Sequence, residues 1–330
     1  MEEQKARELL VACGNELLDQ GLVARTWGNI SCRLDEKHML VTPSGLDYRS
    51  LKSEDIAVMD LETMEWTGPH KPSSEKGVHA EAYRVCPDAQ FVIHTHQEYA
   101  TALGLCGCET MDISEDEKKE LGGIAKAAYG LSGTKKLTNA VKAAFESGAQ
   151  TVFMPHHGVV IAGKSKEETM EKALLLDRIC RRNCRAEMDA AKQSSVSGVQ
   201  DSIRKVYPHS AVVRTPAAMA AAAKKEPIYA QVDDMAQMIG KVIPCAAGAE
   251  EQAVLPLLQK FDAVLLPGIG AAVKAENEDD CEAMGILLEK AALCHLHTLA
   301  AGKEKECRLG GLDVALQHVV YIKKYSRQKK

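Results

Sequence analysis

The stretch "RVCPDAQFVIHTHQEYATAL" (residues 84–103) decides how the chain is read. A Pro-Asp turn leads into an apolar run, two histidines follow one residue apart, and "EYATALG" then continues with helical spacing. His94 and His96 therefore belong to the end of a buried strand. Side chains two apart in a strand share one face, so both imidazoles can converge on one ion. An H-x-H pair alone is also what a buried strand with satisfied polar groups shows, so further ligands have to be sought.

"FMPHHGVV" (153–160) supplies a third histidine at a strand end, just before a glycine. Strand neighbours face opposite ways, so at most one of the two ligates. His157, beside Gly158, is the candidate, and His156 is the outward or supporting one. "HKPSSEKGVH" (70–79) offers Glu75 in a polar loop ahead of a helix. Three imidazoles and a carboxylate suit a divalent ion such as zinc, with nickel, manganese and cobalt as alternatives. Ser73 and Ser74 precede the same helix, where hydroxyls and unpaired backbone N–H groups make an anion cradle. "TWGNISCRL" (26–34) and "VTPSGLDY" (41–48) are two more short turns with glycine and hydroxyl or amide side chains. Beside a metal site, three such turns suggest a phosphate pocket.

Composition limits the alternatives. The 330 residues allow one large or two ordinary domains, and 45% hydrophobic with 26% charged residues is a globular balance. A formal charge of −5 argues against broad nucleic-acid binding. The eleven cysteines form no disulfide framework or common zinc spacing, which leads to an expectation of reduced thiols in the cytoplasm. The acidic, amphipathic start "MEEQKARELLVACGNELLDQ" reads as a helix carrying Leu10, Cys13 and Leu17 on one face. It reads neither as a signal peptide nor as a membrane anchor.

The chain divides into a mixed helix–strand region (1–192), a linker-like "KQSSVSGVQ" (192–200) and an alanine-rich region (201–330) ending in a basic tail. Residues 84–103 resemble "KVYPHSAVVRTPAAMAAAA" (205–223), and 153–178 align on 265–290 without gaps. Capping boxes start the last helix of each, Ser165 with Glu168 and, more loosely, Asn277 with Asp280. The second region thus reads as a partial copy. It puts Arg214, Pro216 and Ile269 where the first has His94, His96 and His157, so it lacks metal ligands and is expected to be structural. The same alignment accounts for "GIGAAV" (268–273), which lacks the third glycine of a dinucleotide fingerprint.

Taken together, "WGNIS", "TPSG", "PSSE", "HTH" and "HHG", in this order and spacing, resemble the class II aldolase/adducin family. L-Fuculose-phosphate aldolase is the nearest pattern within it, and the resemblance spans roughly residues 5–190. It implies a three-layer α/β/α sandwich around a mostly antiparallel central sheet, followed here by a partial repeat of that fold. The active sites would lie at subunit interfaces of a homo-oligomer. By the resemblance, His94, His96, His157 and Glu75 hold zinc or another divalent metal, and Glu75 is also the acid/base. Asn29, Ser44, Gly45, Ser73 and Ser74 hold the substrate phosphate. "AAYGLSGTKKL" nominates Tyr129 as the group that reaches a neighbouring subunit's site, although "IAK" (124–126) stands where the family has Ile-Pro-Cys.

The implied reaction is cleavage of a ketose 1-phosphate to dihydroxyacetone phosphate and an aldehyde, with a small sugar phosphate as partner and no nucleic acid or membrane. A dehydratase, a decarboxylase or a 4-epimerase on the same scaffold are the alternatives. Epimerases of the family typically carry aspartate at the place of Glu75. A non-catalytic adducin-like scaffold is the reading from a different class.

Overall fold

The computed structural model describes residues 2–188 and 197–324. These form two compact units, Met1–Asn183 and Cys184–Lys330. The first unit runs α1 (Glu3–Asp19), β1 (Asn29–Arg33), β2 (His38–Val41), β3 (Ala57–Asp60), β4 (Trp66–Thr67), α2 (Lys76–Val85) and β5 (Phe91–Thr95). It continues with α3 (Glu98–Cys106), α4 (Glu115–Glu120), β6 (Ile124–Lys126), α5 (Lys135–Glu146), β7 (Thr151–Met154), β8 (Gly158–Gly163) and α6 (Lys166–Asn183).

The eight strands make one sheet in the order β4-β3-β2-β1-β5-β8-β7-β6. All pairs are antiparallel except β6 with β7. The sheet is therefore mixed, and the "IAK" segment that departs from the family pattern is its parallel edge strand. β5 and β8 at the centre are buried along their whole length. They read as continuous apolar runs because both sheet faces are covered. Val78, Tyr83, Leu137, Val141 and Phe145 of α2 and α5 pack with Val92, Val152 and Val160 on one face. α1, α3 and α6 cover the other. On α1 the predicted stripe of Leu10, Cys13 and Leu17 is fully buried.

The second unit comprises α7 (Ser197–Val206), β9 (Ser210–Val213), α8 (Pro216–Ala223), β10 (Ile228–Tyr229), α9 (Asp233–Met238) and β11 (Val242–Ile243). After these come α10 (Glu251–Leu258), β12 (Ala263–Leu266), β13 (Gly270–Lys274), α11 (Glu278–Ala300) and α12 (Gly311–Lys324). Residues 192–196 of the linker-like stretch lie outside the described residues. Ser197–Gln200, given a linker's composition, instead form the first turn of α7. Of the basic tail, residues 325–330 lie outside the described residues and 321–324 end α12.

β12-β13-β9 form an antiparallel three-stranded sheet, with Val213 opposite Ala271. In the first unit Thr95 is opposite Val159. The sequence alignment pairs Thr95 with Thr215, so the observed register differs from it by two residues. Arg214, not Pro216, thus follows the strand as His96 does. The forward bond of each predicted capping box forms, Glu168 N–H donating to Ser165 Oγ and Asp280 N–H to Asn277 Oδ1, while Glu168 Oε2 accepts from Lys164 N–H instead of closing the box.

None of the eleven cysteines is in a disulfide. Burial pushes the Cys13 and Cys32 thiols up to about 12, and a thiol in that state is a poor nucleophile. Alkylation of the folded protein at pH 8 is expected to spare these two and to reach the half-buried Cys86, Cys108, Cys184 and Cys245. Ready native labelling of Cys13 or Cys32 on peptide mapping would contradict the packing described here. Among the described residues, no helix is long and apolar enough to cross a membrane.

Candidate metal centre

Three chain segments deliver the ligand candidates to one end of the central strands. His94 is the fourth residue of β5, and His96 lies one residue beyond the strand end. His157 sits in the β7–β8 turn, where its N–H donates to the Met154 carbonyl. Glu75 is the N-cap residue of α2. One ligand atom from each of these four residues lies within 4.8 Å of the others.

The glycines of the short motifs have steric reasons. A Cβ on Gly158 would lie 2.2 Å from the Thr95 carbonyl oxygen and 3.3 Å from His94 Cε1. Gly28, at φ +93°, approaches the His94 carbonyl so closely that a Cβ would stand 2.6 Å from its oxygen. Gly158→Ala is therefore expected to separate β5 from the β7–β8 turn. We expect a loss of about 1–3 kcal/mol of stability together with weakened metal binding, measured by thermal unfolding with and without added divalent ion. Unchanged melting in both conditions would contradict this geometry.

His94 Nδ1 is 2.8 Å from the Val159 carbonyl and so donates to it. In the neutral ring this leaves a lone pair on Nε2. That lone pair faces His96 Nε2 at 3.0 Å, His157 Nε2 at 3.2 Å and Glu75 Oε2 at 3.0 Å. Glu75 Oε1 is 2.8 Å from His157 Nε2. Neighbouring ligand atoms around a tetrahedral zinc ion are separated by about 3.3 Å, given bond lengths near 2.0–2.1 Å. The donor set fits such a cation in both spacing and chemistry, since a positive charge is what reconciles gathered lone pairs. Burial by itself would raise the Glu75 carboxyl, but the His157 and His94 imidazoles outweigh it and hold the group well below the usual carboxylate range.

The three turns nominated for phosphate lie side by side. Ser44 N–H donates to the Lys71 carbonyl, Ser73 N–H donates to the Thr42 carbonyl, and Pro43 bridges Pro72. This brings Ser44 and Gly45 next to Ser73 and Ser74, with Gly45 at φ +76°. The Thr42 N–H donates to the Ile30 carbonyl, tying in the Asn29 segment. Ser73 Oγ already accepts from Glu75 N–H. Asn29 is directly opposite His94 in the β1–β5 pairing, and its side-chain amide donates to Glu75 Oε2 at 3.1 Å. Tyr129 packs edge-on against His156 of its own chain, with ring centroids 4.9 Å apart. His156 has φ +67°, which turns it away from a strand's alternation.

Two features escaped the sequence reading. Ser132, in the Tyr129 loop, donates to Glu75 Oε1 at 3.2 Å. His79, on α2, lies behind Asn29. Neither carries a local signal: Ser132 sits in what reads as an ordinary turn, and His79 as a helix residue.

An α/β/α sandwich with a three-histidine, one-carboxylate cluster at the end of its central strands has the architecture of a metal-dependent enzyme. The chain belongs to the class II aldolase and adducin family, whose N-terminal domain matches residues 8–184. It is 34% identical over 160 residues to the 5-deoxy-D-ribulose 1-phosphate aldolase of Bacillus thuringiensis serovar kurstaki, covering 48% of this chain and 74% of the relative. It is 32% identical over 175 residues to the 5-methylthioribulose-1-phosphate/5-deoxyribulose-1-phosphate aldolase of Rhodospirillum rubrum, covering 52% and 77%. Among solved structures, an L-fuculose 1-phosphate aldolase superposes with a TM-score of 0.50 at 27% identity, covering 54% of this chain and 84% of that one.

Proposed function

We propose that this protein is a metal-dependent aldolase that reversibly cleaves a ketose 1-phosphate to dihydroxyacetone phosphate and an aldehyde. The observation that carries this reading is the gathering of Glu75, His94, His96 and His157 within 4.8 Å, in a chain whose relatives include ketose 1-phosphate aldolases. Those relatives move the substrate away from fuculose phosphate and toward a 5-substituted or 5-deoxy pentulose 1-phosphate. Acetaldehyde would be the second product from the 5-deoxy sugar.

The metal, when bound by the three histidines and Glu75, supplies Lewis-acid stabilisation of the negative charge that develops on the substrate's carbonyl oxygen. The chain's own residues supply position and protons. Ser44, Gly45, Ser73 and Ser74 orient the substrate through its phosphate, with Asn29 at their edge, so that binding energy far from the reacting bond is spent on alignment. In cleavage, the C4 hydroxyl passes its proton to Tyr129, the C3–C4 bond breaks, and its electron pair stays on C3. Glu75 delivers a proton to C3, or removes it in the synthetic direction, and Tyr129 protonates the aldehyde oxygen in synthesis. Glu75 is a carboxylate before it takes the C3 proton in synthesis and a carboxylic acid before it returns that proton in cleavage. Tyr129 is assigned to a neighbouring subunit's site, which makes the working form a homo-oligomer. Residues 201–330 are read as a ligand-free structural copy. The shared antiparallel order of β9, β13 and β12 with β5, β8 and β7 supports that, and the two-residue register difference limits it.

Incubation of the metal-loaded protein with 5-deoxyribulose 1-phosphate and with fuculose 1-phosphate, assaying dihydroxyacetone phosphate, tests the reaction. Triose release, faster from the pentulose, is expected. Loss of water or carbon dioxide from sugar phosphates without any triose would overturn it.

A further inference from the structure

We propose that His79 is a positioning residue, which orients the Asn29 amide so that its N–H rather than its carbonyl faces Glu75. This rests on the metal-centre reading above and extends it to a buried layer behind the carboxylate.

The direction of the hydrogen bonds follows by elimination. A carboxylate only accepts, so Asn29 Nδ2 is the atom 3.1 Å from Glu75 Oε2. Asn29 Oδ1 is then the atom 2.5 Å from His79 Nε2, which must carry a proton. Burial lowers the His79 pKa to about 3, so the ring is neutral and its Nδ1 accepts. Ser31 Oγ, 2.7 Å from that nitrogen, is its donor. Having given its only proton, the Ser31 hydroxyl accepts from Tyr83 Oη at 2.8 Å. Every donor from Tyr83 inward thus points toward Glu75.

A histidine that only filled the core would need no fixed direction. Here the direction has a consequence two residues away. The side chains of Asn29 and His94 leave directly opposed strand positions on the same sheet face, so the amide borders the cluster. Turned over, its carbonyl oxygen would stand against the Glu75 carboxylate, and two acceptors would repel. The His79 N–H removes that choice. Groups that orient a metal's ligands in this way typically contribute about 10–100-fold in metal affinity or activity. His79 is fully buried, so it acts only through its neighbours.

Three variants test the assignment. His79→Leu removes both ring nitrogens at similar volume. His79→Asn keeps a polar group near the Nδ1 place but does not reach Asn29. His79→Gln keeps an N–H near the Nε2 place. Cobalt(II) affinity by chelator competition and the cobalt absorption bands are read alongside kcat and KM. The leucine and asparagine variants are expected to bind cobalt about 10–100-fold more weakly, with reduced kcat and little change in KM, and the glutamine variant to recover most of both.

Wild-type cobalt affinity and bands in His79→Asn, or in a folded His79→Leu with only a lower melting temperature, would overturn the proposal. If the leucine variant does not fold, the asparagine–glutamine pair decides. The cobalt measurement needs no sugar phosphate. A His79 effect on cobalt in a protein that cleaves no ketose phosphate would refute the reaction and support the positioning role. A wild-type protein that binds no cobalt would refute both.

Discussion

Replacing Glu75 with glutamine is expected to lower kcat for ketose 1-phosphate cleavage by about 10²–10⁴-fold, the range for loss of a positioned general acid/base. The substitution keeps the shape and removes the charge. It also disturbs one of the two oxygen positions, because Asn29 Nδ2 donates to Oε2 and Ser132 Oγ to Oε1 of the carboxylate. An amide offers only one acceptor to those two donors, so one of them would face an N–H group. Exchange of the C3 proton of dihydroxyacetone phosphate with deuterated water isolates the proposed proton step from the carbonyl partner. That exchange should fall in parallel with cleavage. If Glu75→Gln exchanged the proton at the wild-type rate, Glu75 would not be the base.

The second large effect is expected at His94. His94→Ala should abolish stoichiometric metal binding and reduce cleavage to the level of chelator-treated protein. Lewis-acid stabilisation is worth several kcal/mol, and each 1.4 kcal/mol is about tenfold, so the loss should be at least about 10³-fold. His94 is the sensitive position because its Nε2 lies within 3.2 Å of His96, His157 and Glu75 alike. Its ring is also fixed from behind by the Val159 carbonyl. Metal content by elemental analysis, together with triose release, checks both halves. Wild-type metal content in His94→Ala would mean that the ion sits elsewhere.

Much of this site was legible from short motifs because each is held by local geometry. The glycines of "WGN" and "HHG" are where the chain passes within van der Waals contact of the β5 end, and the clustered histidines stand next to those passages. The turns "TPSG" and "PSSE" carry hydroxyls because they are turns. Ser132 and the line from Asn29 to Tyr83 were not legible. Their partners are 46 to 57 residues away or sit on another element, and no periodicity records such a pairing. The helical start at Ser197 was hidden by a serine-rich composition that also suits a first turn. The two-residue slip in β9 shows the weakness of aligning an alanine-rich strand and helix, where few side chains are distinctive enough to fix register.

One cation, held jointly by residues from three distant segments, is central to the proposed reaction. X-ray absorption at the metal edge, on protein purified without chelator, tests it most directly. The prediction is one divalent ion per chain, bound by three imidazole nitrogens and a carboxylate oxygen, with the imidazole contribution lost in His94→Ala. Absence of a stoichiometric ion, or a first shell of cysteine sulfur, would contradict it.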